Sequence, residues 1–86
     1  MKIGICGLGK LGMPVALTLD DLGYKVFGYD IDPKVKEILD TRIFPYQEQF
    51  AQEKLTKHNI TFCNIEDLVK NSNMIYVPIQ TPHDPR

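Results

Sequence analysis

Apolar residues fall along this chain in short blocks whose period changes from one block to the next. Lys2-Ile3-Gly4-Ile5-Cys6 is a compact apolar run, read as a buried strand. Leu11, Val15, Leu19 and Leu22 then recur at steps of four, four and three, which is helical spacing. Pro14 suits the first turn of that helix, where its missing N–H costs nothing, and Gly23 suits the position just past its end. Residues 25–29 read as a second strand closed by Asp30. Asp32-Pro33 reads as a helix cap followed by a first-turn proline, with Val35, Ile38 and Leu39 as the apolar face behind it.

Ile43-Phe44-Pro45-Tyr46-Gln47 breaks the pattern. Residues 48–57 are polar with Phe50, Ala51 and Leu55 on one side, a marginal surface helix. Residues 60–63 read as a third strand. Asn64 and Asp67 look like a cap pair opening a short helix through Val69, and Asn71-Ser72-Asn73 is a polar turn. Residues 74–79 form a fourth, almost wholly apolar strand. Strands alternating with helices predict an α/β fold with a parallel sheet covered on both faces. Right-handed crossovers limit the topologies, and 3-2-1-4 is the order expected if the fold is a Rossmann-like dinucleotide fold.

Composition narrows the picture without changing it. The chain has 86 residues, enough for one small domain. Leu, Ile, Val and Phe number 26 together, which argues against disorder. Net charge is −1, so no basic excess points to nucleic acid or to an anionic membrane. No apolar run reaches the roughly 18–20 residues of a membrane span, and the start lacks the long apolar stretch of a signal peptide. Cys6 and Cys63 each sit in an apolar run without zinc-ligand spacing. They read as two buried, reduced thiols of a cytoplasmic protein.

Chemistry concentrates at Gly7-Leu8-Gly9-Lys10-Leu11-Gly12. G-x-G-x-x-G alone is a weak signal, but here it leaves a predicted strand and enters a predicted helix. Asp30 closes the next strand, near the spacing at which an acid binds the adenosine ribose. In that reading Gly7 permits the tight turn, Gly9 lets backbone approach a pyrophosphate, and Gly12 lets helix pack on strand. The helix N-terminus offers unpaired N–H groups to the phosphates. Asp30 would repel a 2′-phosphate, favouring NAD over NADP, with Lys34 close enough to soften that repulsion. The plainer alternative is a glycine-rich turn plus an aspartate capping its own loop. Lys10 is either a solvated lysine or a group near the phosphates. Thr81-Pro82 is either an ordinary turn or part of the ligand edge beyond strand four. His58, between Lys57 and Asn59, reads as a surface residue. His83 lacks a partner and is assigned no catalytic role.

Met1 to Pro14, Tyr29-Asp30-Ile31-Asp32-Pro33-Lys34-Val35, Pro45-Tyr46 and Val77-Pro78-Ile79-Gln80-Thr81-Pro82 together resemble the N-terminal domain of the UDP-glucose/GDP-mannose dehydrogenases, in the right order along the whole chain. The resemblance implies NAD as cofactor, with Gly7, Leu8, Gly9, Lys10, Leu11 and Gly12 at the pyrophosphate. It also implies Asp30 on the ribose, Lys34 beside it and Thr81 approaching from strand four. Such enzymes oxidise the C6 alcohol of a nucleotide sugar to a carboxylate in two hydride transfers. Lys10 stands where that family commonly has Tyr, Gln47-Glu48-Gln49 replaces Glu-Pro-Gly, and the loop before Lys34 is one residue short, so Lys36 is a second candidate there. Nothing matches the family's catalytic cysteine motif or its sugar-binding domain, and Cys6 and Cys63 do not correspond to that cysteine. The expectation is an NAD-binding domain over residues 1–86, truncated and without catalytic residues, that binds the ADP half of NAD. Its partners would be the missing dehydrogenase domains or a second copy. Two other readings stay open. One is a nucleotide-binding or self-assembling module that dimerises across an uncovered edge at strand four. The other is a fragment of a hydroxyacid dehydrogenase, which Pro45-Tyr46 and Thr81-Pro82 disfavour.

Overall fold

The computed structural model of the chain describes residues 1–9, 11–43 and 49–78. Eight elements follow in order: β1 (Lys2–Cys6), α1 (Gly12–Asp21), β2 (Lys25–Tyr29), α2 (Pro33–Thr41), α3 (Gln49–Thr56), β3 (Thr61–Phe62), α4 (Ile65–Asn71) and β4 (Met74–Tyr76). The strands form one sheet in the order β3-β2-β1-β4, with β1–β2, β1–β4 and β2–β3 all parallel. This is the expected Rossmann-like order. β3 and β4 are shorter than the apolar runs that announce them.

Side-chain alternation on β1 divides the layers. Ile3 and Ile5 face one side and Gly4 the other. Ile3, Ile5 and Val26 enter one cluster with Ala16 and Leu17 of α1, Val35 and Leu39 of α2 and Leu55 of α3. On the opposite face α4 lies against β1 and β2, with Leu68 buried over Gly4. Helices therefore cover both faces of the sheet's middle, as a parallel sheet requires.

Helix boundaries follow local chemistry. α2 starts at an extended Asp32, whose side chain accepts the Lys34 N–H, with Pro33 in the first turn. α4 starts at Asn64, whose Oδ1 accepts the Asp67 N–H at 2.8 Å. α1 ends through Gly23 at φ +100°, its N–H donating to the Asp20 carbonyl at 3.0 Å.

Three details depart from the sequence reading. His58 is 5% exposed, not a surface residue. Its Nδ1 accepts from the Ile60 N–H at 2.9 Å, and its Nε2 lies 2.9 Å from the Leu39 carbonyl oxygen. Since a carbonyl only accepts, Nε2 carries the proton, and the ring ties α2 to the segment just before β3. Arg42 reinforces the same joint, its Nη1 donating to the Thr56 and His58 carbonyls at 3.1 and 3.0 Å. α3 is correspondingly more than a surface helix, because Leu55 is fully buried. The two thiols are free but half-buried. Among the described residues no helix is long and apolar enough to cross a membrane.

Candidate functional site

The sheet ladder leads directly into the glycine turn. The Gly7 N–H donates to the Tyr29 carbonyl at 2.7 Å, so the turn leaving β1 is tied to the end of β2, one residue before Asp30. Gly7 has φ +108°, a conformation in which an L side chain is strained. Leu8 then turns inward, fully buried over Gly28, where any Cβ would collide with its side chain. The turn is thus plugged into the core by Leu8, and only that residue's backbone remains for a ligand.

Gly9 is exposed, with open space where its Cβ would be. Its carbonyl accepts the Met13 N–H at 2.9 Å and so begins α1. Gly12 is buried, and a Cβ there would run into the Gly7 carbonyl oxygen and lie 3.1 Å from Pro78 Cγ. The helix start therefore packs on backbone, with the chain just past β4 beside it. Leu11 occupies the cap position with no side-chain cap, and no acid lies in the first turn. α2 and α4, by contrast, are closed by Asp32 and Asn64. Among the described residues no side chain caps the N–H groups at the start of α1.

Asp30 stands half-buried beyond the end of β2. Its Oδ1 accepts the Asp32 N–H at 2.8 Å. Asp32 Oδ1 in turn accepts the Lys34 N–H at 3.0 Å. Lys34 is exposed in the first turn of α2. Lys36 is turned along the helix to Asp40 at 2.8 Å. Lys10, Pro45-Tyr46 and Thr81 lie outside the described residues. Cys63 follows β3 along the same edge, its N–H donating to the Gly28 carbonyl at 2.9 Å. Partial burial, and then the nearby Asp67 carboxylate, push its thiol above the ordinary value, so it stays protonated at neutral pH.

Sequence reasoning brought Gly7, Gly9, Gly12 and Asp30 to one edge of the sheet, where the structure also has them. It missed the tie from Asp32 to Asp30 and the seat of Pro78 beside Gly12. The Asp-x-Asp spacing was a readable signal for the first, because an aspartate commonly accepts the N–H two residues on. The second needed the strand order.

A polyphosphate half of a dinucleotide fits this arrangement. Gly9 leaves room for close approach, the helix start is uncapped, and an acid is held one strand over. Comparison with known proteins agrees. The model of the UDP-glucose/GDP-mannose dehydrogenase family, NAD binding domain, matches residues 1–86. The chain is 32% identical to a UDP-N-acetyl-D-mannosamine dehydrogenase of Pyrococcus horikoshii, over 95% of this chain and 21% of that protein. It is 34% identical to protein CapL of Staphylococcus aureus, over 96% of this chain and 19% of that one. Among solved structures, a UDP-glucose dehydrogenase from the archaeon Pyrobaculum islandicum superposes with a TM-score of 0.85 at 26% identity, covering 98% of this chain and 21% of the other. The chain thus spans about a fifth of the length of these relatives.

Proposed function

Since this chain belongs to the UDP-glucose/GDP-mannose dehydrogenase family, as its NAD-binding domain, we propose that it holds the adenosine diphosphate half of NAD at the turn between β1 and α1. The observation that supports this best is the contrast in helix starts. α1 is uncapped beside the open space at Gly9, whereas α2 and α4 are closed by their own side chains. In this reading the backbone of Gly7, Leu8, Gly9, Lys10, Leu11 and Gly12 meets the pyrophosphate. Asp30 accepts from the adenosine ribose hydroxyls through the oxygen not held by Asp32. Lys34 stands beside it, and Thr81 comes from the segment beyond β4. The carboxylate disfavours a 2′-phosphate at the same place, consistent with NAD as cofactor.

When bound, NAD supplies hydride acceptance. In a complete dehydrogenase that hydride would come from the C6 alcohol of a nucleotide sugar. The residues of this chain bind and orient the cofactor and take no part in proton or hydride movement. We place the protein in the cytoplasm, where the free Cys6 and Cys63 stay reduced.

An NMR titration with ADP-ribose tests the proposal. Amide shifts at Gly9 and near Asp30 are expected, with none from nicotinamide mononucleotide. Asp30→Ala should weaken ADP-ribose by roughly tenfold or more, through loss of charge-assisted hydrogen bonds. Unmoved Gly9 and Asp30 amides would overturn the reading.

A second reading draws on β4, whose Met74, Ile75 and Tyr76 are 51%, 40% and 44% exposed at the sheet edge. Such an edge invites pairing, and a second copy of this chain could supply the partner strand. Light scattering across a dilution series decides: a dimer that dissociates on dilution favours this reading, and a monomer at every concentration removes it.

A further inference from the structure

Asp32 makes two hydrogen bonds, one to the proposed ribose acid and one to the first turn of α2. Its backbone N–H donates to Asp30 Oδ1 at 2.8 Å. Its own Oδ1 accepts the Lys34 N–H at 3.0 Å. The second bond caps α2 and holds residue 32 extended, at φ −79° and ψ 118°. The first depends on that conformation, because the N–H must point back at Asp30. The two turns therefore run in series, from the first turn of α2 to the carboxylate beyond β2. Among the described residues Asp30 Oδ2 has no partner, so one oxygen is anchored and the other is free.

An unanchored aspartate must give up rotamer freedom when a ribose binds, and that loss subtracts from affinity. Here the freedom is gone before the ligand arrives. We infer that Asp32 is a positioning residue for the ribose subsite: its helix cap holds its own N–H against Asp30 Oδ1 and so presents the free oxygen to the ribose hydroxyls. This inference rests on the reading of Asp30 given above and assigns Asp32 a part in it without contact to the nucleotide.

The test compares ADP with 2′,3′-dideoxy-ADP on the 86-residue chain by isothermal titration calorimetry. The two ligands share base and diphosphate, but the second lacks the hydroxyls that Asp30 would hold. Asp32→Ala should weaken ADP by roughly three- to tenfold, the effect of ordering one side chain, and leave dideoxy-ADP unchanged. Asp32→Asn keeps an oxygen for the Lys34 N–H and should restore ADP binding. Asn64→Ala removes the corresponding cap from α4 and should leave both ligands unchanged, which separates general loss of stability from the selective effect. Should Asp32→Ala not fold, Asp32→Gly keeps most of the helix start and carries the same expectation. Equal weakening of both ligands, or of neither, reduces Asp32 to a helix cap while nucleotide binding by the unaltered chain still stands. If the unaltered chain takes up neither ADP nor ADP-ribose, the nucleotide reading itself falls.

Discussion

β1 and β4 lie side by side, in register from Ile3 opposite Met74 to Ile5 opposite Tyr76. Both are apolar runs in the sequence, yet Ile5 is fully buried and Tyr76 is 44% exposed. The difference is one of neighbours. β1 has a strand on either side and helices over both faces, whereas among the described residues β4 is hydrogen-bonded to β1 alone, and α4 lies over β1 and β2. An apolar strand records what it is built to be covered by. It does not say whether that cover lies within the same 86 residues, and this chain spans about a fifth of its relatives' length.

The contrast is sharpest between register partners. Ile5→Ala opens a cavity under α1 and should cost about 3–4 kcal/mol in urea unfolding, a large share of a small domain's stability. Tyr76→Ala removes a side chain that keeps 44% of its surface in water and should cost clearly less than that. Equal losses at the two positions would mean that β4 is covered in solution, which would turn attention to a second copy of the chain.

The distinction between centre and edge is also where sequence reading stops. The ends of β1 and β2, the caps at Asp32 and Asn64 and the Gly23 stop were legible because each rests on a few adjacent residues. The glycine turn was legible for the same reason, since Gly7 and Gly12 are demanded by a positive φ and a backbone contact within six residues of chain. His58 was misread because one of its partners, Leu39, lies nineteen residues away in α2 and flanking polar residues disguise its burial. The anchoring of Asp30 was within reach of local rules, but the acid was weighed only for what it offers a ligand and not for what holds it. The exposure of β4 depends on atoms beyond its own segment, and no local pattern carries that information.

The opposite face of β1 offers the finest comparison. Gly4 is paired with Ile75 of β4 and faces α4, where a Cβ would lie 2.7 Å from Leu68 Cδ2 and collide with Ser72 Oγ. Gly4→Ala should therefore push α4 off the sheet at about 2 kcal/mol, the usual scale for overpacking. Ser72 Oγ is itself buried with no hydrogen-bond partner among the described residues. A buried hydroxyl without a partner carries its desolvation cost uncompensated, so Ser72→Ala should be neutral or stabilising by up to about 1 kcal/mol. The two positions touch, so their effects should not add. In a Ser72→Ala background, Gly4→Ala should cost about 0.5–1 kcal/mol less, because one of its two obstacles has gone and only Leu68 remains. Urea unfolding of the two single variants and the double variant measures all three quantities. Strict additivity would show that α4 yields at Leu68 alone, and a destabilising Ser72→Ala would show that the hydroxyl has found a partner where β1 meets the approach to β4.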